Sequence, residues 1–191
     1  MPRYAAFLRG VNVGGVNLKM AAVTEALQRA GFTAVSTVLA SGNVLLDSPA
    51  DPASVRSQAQ LALRDAFGYD AWVLVYPLPA VQAVVDSYPF RTEPDHHAYV
   101  TFVSDAAILD ELAVLAEQPV PGERIARGDG VIYWQVRRSA TLNSAMGKTM
   151  SQKRYKSSTT TRNLRTLIKV LQSRPPLGSV DGYSSPPSGQ R

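Results

Sequence analysis

The 191-residue chain contains no cysteine. That absence removes disulfides, thiolate nucleophiles, iron–sulfur clusters and cysteine-ligated zinc from consideration. Histidine is scarce as well. His96 and His97 are the only two, and adjacent residues of an extended chain point to opposite sides, which is poor geometry for a shared metal. With carboxylates scattered, the residues point to no metal site and to no cofactor. Long apolar runs are missing too: a run such as Ala71 to Tyr76 is far too short to span a bilayer. The first residues lack the basic, apolar and small-residue succession of a signal peptide, so the cytoplasm is the default location and no membrane partner is expected.

The most informative absence is acidic. Between Arg137 and Arg174 the chain places ten Lys or Arg and no Asp or Glu, whereas the remainder carries ten basic residues and all fifteen acidic ones. The overall charge of +5 is therefore a strongly basic block joined to an acidic remainder. An asymmetry of that size favours anionic partners: nucleic acid, phosphate-bearing metabolites or an acidic protein.

What is present is enough for a folded core, with 45% hydrophobic residues in a chain of one large or two small domains. Tyr4 to Leu8 is a short run of strand formers, followed by a glycine-rich loop and then a helix with Met20, Val23, Leu27 and Ala30 at helical spacing. Asn17 can cap that helix and Gly31 follows its end. Val35, Thr37 and Leu39 alternate into a Ser41-Gly42-Asn43 turn, and Val44 to Leu46 returns. Asp51-Pro52 opens a second helix through Val55, Ala59, Leu63 and Ala66, and Trp72 to Tyr76 closes a βαββαβ order. After an amphipathic stretch between Pro77 and Pro89 the rhythm recurs, with a strand at Tyr99 to Val103, a helix capped by Ser104, and strands near Ile125 and at Val131 to Val136. A late helix capped by Thr160 or Thr161 carries Leu164, Leu167, Ile168 and Leu171 on one face. The expected architecture is α+β, with two tandem ferredoxin-like (split βαβ) units. The second has a late second helix and no assigned sixth strand. The expected divisions are 1–77, a linker helix at 78–92, 93–172, and a Pro/Ser/Gly tail at 173–191 that reads as disordered.

Several short stretches carry a resemblance. Leu8-Arg9-Gly10-Val11-Asn12-Val13-Gly14-Gly15, Asn17 and Met20, Ser41-Gly42-Asn43-Val44, Phe67-Gly68, Pro89-Phe90, Ile132-Tyr133 and Thr161-Arg162-Asn163 together resemble the bacterial domain-of-unknown-function family 1697. The likeness runs from about residue 3 to residue 172. It implies the same tandem ferredoxin-like fold and brings no activity with it. Leu164 stands where the family pattern leads one to expect tryptophan.

A strand running into a glycine-rich turn and then a helix offers backbone N–H groups and a positive dipole end to an anion. Arg9, Asn12, Gly14, Gly15 and Asn17 are therefore candidate ligand-binding residues, to which Ser41, Asn43, Arg162 and Asn163 add polar groups. The loop is no Walker motif, because Val16-Asn17 follows Gly15 where a P-loop needs Lys and Ser/Thr, and no GxGxxG fits it. The plain alternative is that its glycines serve turn geometry and its asparagines serve caps, and Ser41-Gly42-Asn43 likewise reads most simply as a hairpin turn. No nucleophile elbow is present, since Ala40-Ser41-Gly42 does not fit G-x-S-x-G. No catalytic residue is assigned.

In the basic block, Arg162, Arg165 and Lys169 follow i, i+3, i+7 spacing away from the leucine face, which predicts an exposed ridge on the last helix. Lys153, Arg154, Tyr155 and Lys156 put an aromatic ring among three cations, a combination suited to phosphates and base stacking. Thr159 to Thr161 add hydroxyls beside a helix N-terminus. The bland alternative is a solvated helix face and a loop. Tyr133 and Trp134 read as core packing, because the sequence lacks the pattern of an RNA-binding plait. Two functions from different classes follow: a nucleic-acid-binding protein using the basic surface, or an enzyme or sensor for a small phosphorylated metabolite at the glycine loop. Oligomeric state is not legible in the residues.

Overall fold

The computed structural model describes residues 1–10, 17–68, 70–118 and 120–175. In chain order its elements are β1 (Arg3–Arg9), α1 (Met20–Arg29), β2 (Thr33–Val38), β3 (Asn43–Asp47), α2 (Pro52–Phe67), β4 (Trp72–Pro77), α3 (Leu78–Asp86) and β5 (His96–Val103). Then come α4 (Ala106–Ala113), β6 (Glu123–Arg127), β7 (Val131–Arg137), α5 (Ala145–Met150), β8 (Thr159–Asn163) and α6 (Leu164–Gln172). Short 3-10 turns occupy Val114–Glu117, Arg138–Asn143 and Lys153–Tyr155. The fold is α+β with two four-stranded antiparallel sheets, ordered β2-β3-β1-β4 and β6-β7-β5-β8.

Side chains alternate across each strand, so β1 serves two cores at once. Tyr4, Ala6 and Leu8 pack with Val44, Leu46 and Val73 beneath α1 and α2. Ala5 and Phe7 face the other way, with Leu45 and Leu74, into a core shared with Val100, Phe102 and Tyr133 of the second sheet. Val81 of α3 and Leu164, Leu167 and Val170 of α6 complete that central layer. On the far side of the second sheet, Ile132, Trp134 and Val136 meet Leu109, Leu112, Met146 and Met150. An apolar run such as Tyr4 to Leu8, without polar alternation, is what a strand covered on both faces requires.

Local signals explain most boundaries. Asp51 caps α2 by accepting hydrogen bonds from the Ala53 and Ser54 amides, with Pro52 in the first turn. Three expectations are corrected. The N-cap of α1 is Lys19, without a side-chain cap bond, in place of Asn17. Asp105, one residue after Ser104, caps α4, because its carboxylate accepts from the Ala107 and Ile108 amides. Thr159–Asn163, read as the start of a helix, is instead strand β8, paired with β5 through Thr101↔Thr161 and Tyr99↔Asn163. Three consecutive β-branched threonines favour an extended backbone. Asn163 then caps α6, its side chain accepting from the Arg165 amide. The second sheet is therefore closed by a strand before the last helix begins.

Candidate functional site

Arg9 ends β1 and points out of the first half of the chain into the second. Its Nη1 donates to the Thr159 carbonyl at 2.7 Å and to the Thr159 hydroxyl, and its Nη2 donates to the Met150 carbonyl at 2.8 Å. Arg162, on β8, reaches the opposite way. Its Nε donates to Asn43 Oδ1 at 2.7 Å, Nη1 to Thr160 Oγ1 and the Thr161 carbonyl, and Nη2 to the Leu8 and Gly42 carbonyls at 2.7 and 3.3 Å. Its guanidinium also lies 5.2 Å from the centre of the Phe7 ring. Arg56 of α2 makes a third crossing, donating from Nη2 to the Ser157 carbonyl at 2.8 Å.

None of these three arginines meets a carboxylate among the described residues. Burial pushes the Arg9 guanidinium below its ordinary value. Arg162 is pushed down to about 10, first by burial and then by the positive charge of Arg9 beside it. The residues alone leave open whether Arg9 and the basic C-terminal segment share one cleft; in the structure the charge of Arg9 acts on Arg162. All five N–H groups of Arg162 already have protein acceptors, however, so its geometry is that of a clasp between the two sheets.

The other predicted residues divide. Asn43 is 0% exposed; its amide nitrogen donates to the Val38 carbonyl and the Ser41 hydroxyl while its oxygen accepts from Arg162. It is a buried node of the clasp and more than a turn residue. Ser41 and Asn17 are exposed. Asn12, Gly14 and Gly15 lie outside the described residues.

The basic ridge is corrected as well. Arg162 is on a strand, leaving Arg165 and Lys169 exposed on α6. Tyr155 is only 2% exposed and its hydroxyl donates to Glu111 Oε1 at 2.7 Å, so its ring cannot stack on a base. Burial, then the Glu111 carboxylate, pushes its hydroxyl up. Arg154 lies over that ring, 4.5 Å from its centre, and pairs with Glu111. Lys153 and Lys156 on either side are exposed. The N-termini of α5 and α6 are not open anion seats, since Glu123 accepts from the Ala145 and Met146 amides at the start of α5 and Asn163 occupies the start of α6. Yet the basic block stays largely uncompensated: among the described residues, Arg154 alone of its ten cations contacts a carboxylate.

The family described as "Protein of unknown function (DUF1697)" matches residues 1–133. The chain belongs to this family. Thr161-Arg162-Asn163 lies beyond the matched span. The solved structure of conserved bacterial protein SP0830 from Streptococcus pneumoniae is similar with a TM-score of 0.74 at 20% identity, covering 90% of this chain and 97% of that one. At that identity the likeness concerns the fold. No curated protein matches.

Two features escaped sequence reasoning. The first is a pair of rings at the start of β5 within reach of two exposed cations. His97 and Tyr99 are half-buried with ring centres 5.4 Å apart, and His97 is pushed below its ordinary value by burial and then by the charges of Arg138 and Arg165. The signal was present in the register, since β7 and β8 both end beside the first residues of β5. The second feature is a cleft of about 450 Å³ floored by Phe102, Val131 and Tyr133, with Tyr76 on its wall. The Tyr76 hydroxyl is buried without a hydrogen-bond partner, and burial raises it to about 12. None of the predicted site residues lines this cleft. Glu93, Asp95 and His96 form the one acidic and histidine group close enough for a cation among the described residues. His96 Nδ1 already bonds Asp95 and lies near Glu93, while Arg124 pairs with Glu93 at 3.2 Å, so an ion-pair network accounts for the group.

Proposed function

We propose that the protein is a cytoplasmic, non-enzymatic binder of phosphate-bearing polyanions, nucleic acid first, acting through its C-terminal third. In this reading the chain is two tandem ferredoxin-like units, 1–77 and 93–172, joined by a linker helix at 78–92, and the second unit presents the charge. Both sheets run in the order expected for that architecture, second-third-first-fourth strand. The observation that carries the reading is that nine of the block's ten cations have no carboxylate partner among the described residues. Arg138, Lys153, Lys156, Arg165 and Lys169 are exposed. No helix among the described residues is long and apolar enough to cross a membrane.

Fluorescence anisotropy with a labelled oligonucleotide over a salt series tests it. If those five cations contact phosphates of a single strand, log K falls against log salt with a slope of about −3.5, roughly a hundred-fold between 50 and 200 mM. Affinity indifferent to salt, or no binding in dilute buffer, would sink the reading.

A second reading keeps one specific observation: Arg9 and Arg162 lie side by side, without a carboxylate, where the glycine loop begins. A small phosphorylated metabolite held by Arg9, Asn12, Gly14, Gly15 and Asn17 would relieve that repulsion. A thermal-shift screen of nucleotides and sugar phosphates separates the two. A saturable stabilisation supports the metabolite, and no shift from any of them rejects it.

A further inference from the structure

We propose that His97 and Tyr99 form a base-stacking platform for single-stranded nucleic acid, with Arg138 and Arg165 as the phosphate contacts on either side. This rests on the polyanion reading and names where on the surface, and by what chemistry, a nucleic acid would be distinguished from other polyanions. The geometry begins with period two. In β5, Tyr99, Thr101 and Val103 share one face, and His97 belongs to that same face. Tyr99 pairs in register with Trp134 on one side and Asn163 on the other. Arg138 follows the last residue of β7, and Arg165 stands two residues beyond Asn163. β7 runs on into Arg138, and α6, which starts where β8 ends, carries Arg165; the charges of both reach His97. Both arginines are exposed, and neither has a carboxylate partner among the described residues.

Tyr99 rests on a fixed floor. Trp134 is buried, and its indole nitrogen donates to the Thr101 hydroxyl at 3.0 Å, which in turn lies 2.8 Å from the Thr161 hydroxyl. Tyr99 stacks on that indole with centres 4.4 Å apart and planes 28° from parallel. A ring held this way loses little freedom when a base lands on it. Asn163 uses its oxygen to cap α6, which leaves its amide nitrogen as a donor for a base edge. Charge alone accepts any polyanion, whereas half-exposed rings between two guanidiniums favour one that carries flat, stackable groups along a phosphate chain.

The test compares a twelve-residue oligothymidylate with an abasic twelve-mer of the same phosphate backbone, with poly-glutamate as a third probe, all at low salt. Oligothymidylate is expected to bind at least about ten-fold more tightly than the abasic strand. His97→Ala should remove most of that advantage. In the wild-type protein, NMR signals of the His97 and Tyr99 rings should shift with oligothymidylate and not with the abasic strand, a readout that no folding defect can mimic. Equal affinity for the two strands, or ring signals that ignore the bases, overturns the platform and leaves the electrostatic reading standing. Tighter binding of poly-glutamate than of oligothymidylate overturns it in favour of an acidic protein partner. If no probe binds, the polyanion reading falls with it.

Discussion

Replacing Arg162 by lysine keeps the charge and removes the fork. An ammonium has three donors and no plane, so at least two of the five acceptors around Arg162, among them the buried Asn43 oxygen and the Leu8 carbonyl, lose their partner. Each buried acceptor left alone costs on the order of 1–3 kcal/mol, so Arg162→Lys is expected to destabilise the protein by about 2–4 kcal/mol in urea unfolding. No loss would mean that the clasp is incidental. At His97 the sign runs the other way from a salt-bridged histidine. Its folded value is depressed by burial and by Arg138 and Arg165, so the unfolded chain takes up the proton first. This contribution is absent above the ordinary imidazole value of about 6.5 and becomes destabilising as pH falls below it. His97→Gln should therefore flatten the decline of the melting temperature between about pH 6.5 and 5.

Among the elements, α5 depends on one close approach. A Cβ on Gly147 would lie 2.0 Å from the Thr141 carbonyl oxygen and 2.9 Å from Ser144 Oγ. Neither the backbone of the Arg138–Asn143 turn nor the Ser144 cap can yield that much space without moving. Gly147→Ala is expected to cost more than about 2 kcal/mol, seen as a lowered urea midpoint, although alanine ordinarily favours a helix. Legibility in the sequence followed locality. Asp51-Pro52 and the apolar spacing of α2 are signals carried within a few residues, and they read correctly. β8 was not legible because what makes Thr159–Asn163 a strand is its pairing with β5, some sixty residues earlier in the register Thr101↔Thr161. Seen alone, threonines before a leucine-rich run resemble a helix cap. Asn43 misled for a similar reason: its turn is local, but the arginine that makes it a buried node lies 119 residues away.

At the scale of the whole molecule, the uncompensated basic block was visible in composition, but the rings that accompany it were not, because His97, Arg138 and Arg165 meet only once three strands are in register. The shared central core was equally hidden, since an apolar β1 does not say whose side chains cover its second face. In a chain cut after residue 92, Ala5, Phe7, Leu45 and Leu74 keep α3 but lose the cover of Val100, Phe102 and Tyr133 and of Leu164, Leu167 and Val170 of α6. Such a fragment is expected to self-associate on size-exclusion chromatography and to lack a cooperative urea transition, while the full chain unfolds in one step. A monomeric, cooperatively folding fragment would show the halves to be independent. The same layer bears on how the polypeptide is born. Leaving the ribosome at roughly 5–20 residues per second, the first sheet can pair its strands long before α6 exists, and for several seconds its inner face is open to whatever it meets. That interval, longer than strand pairing itself needs, makes the nascent first half a natural client for chaperones until the last helix closes over it.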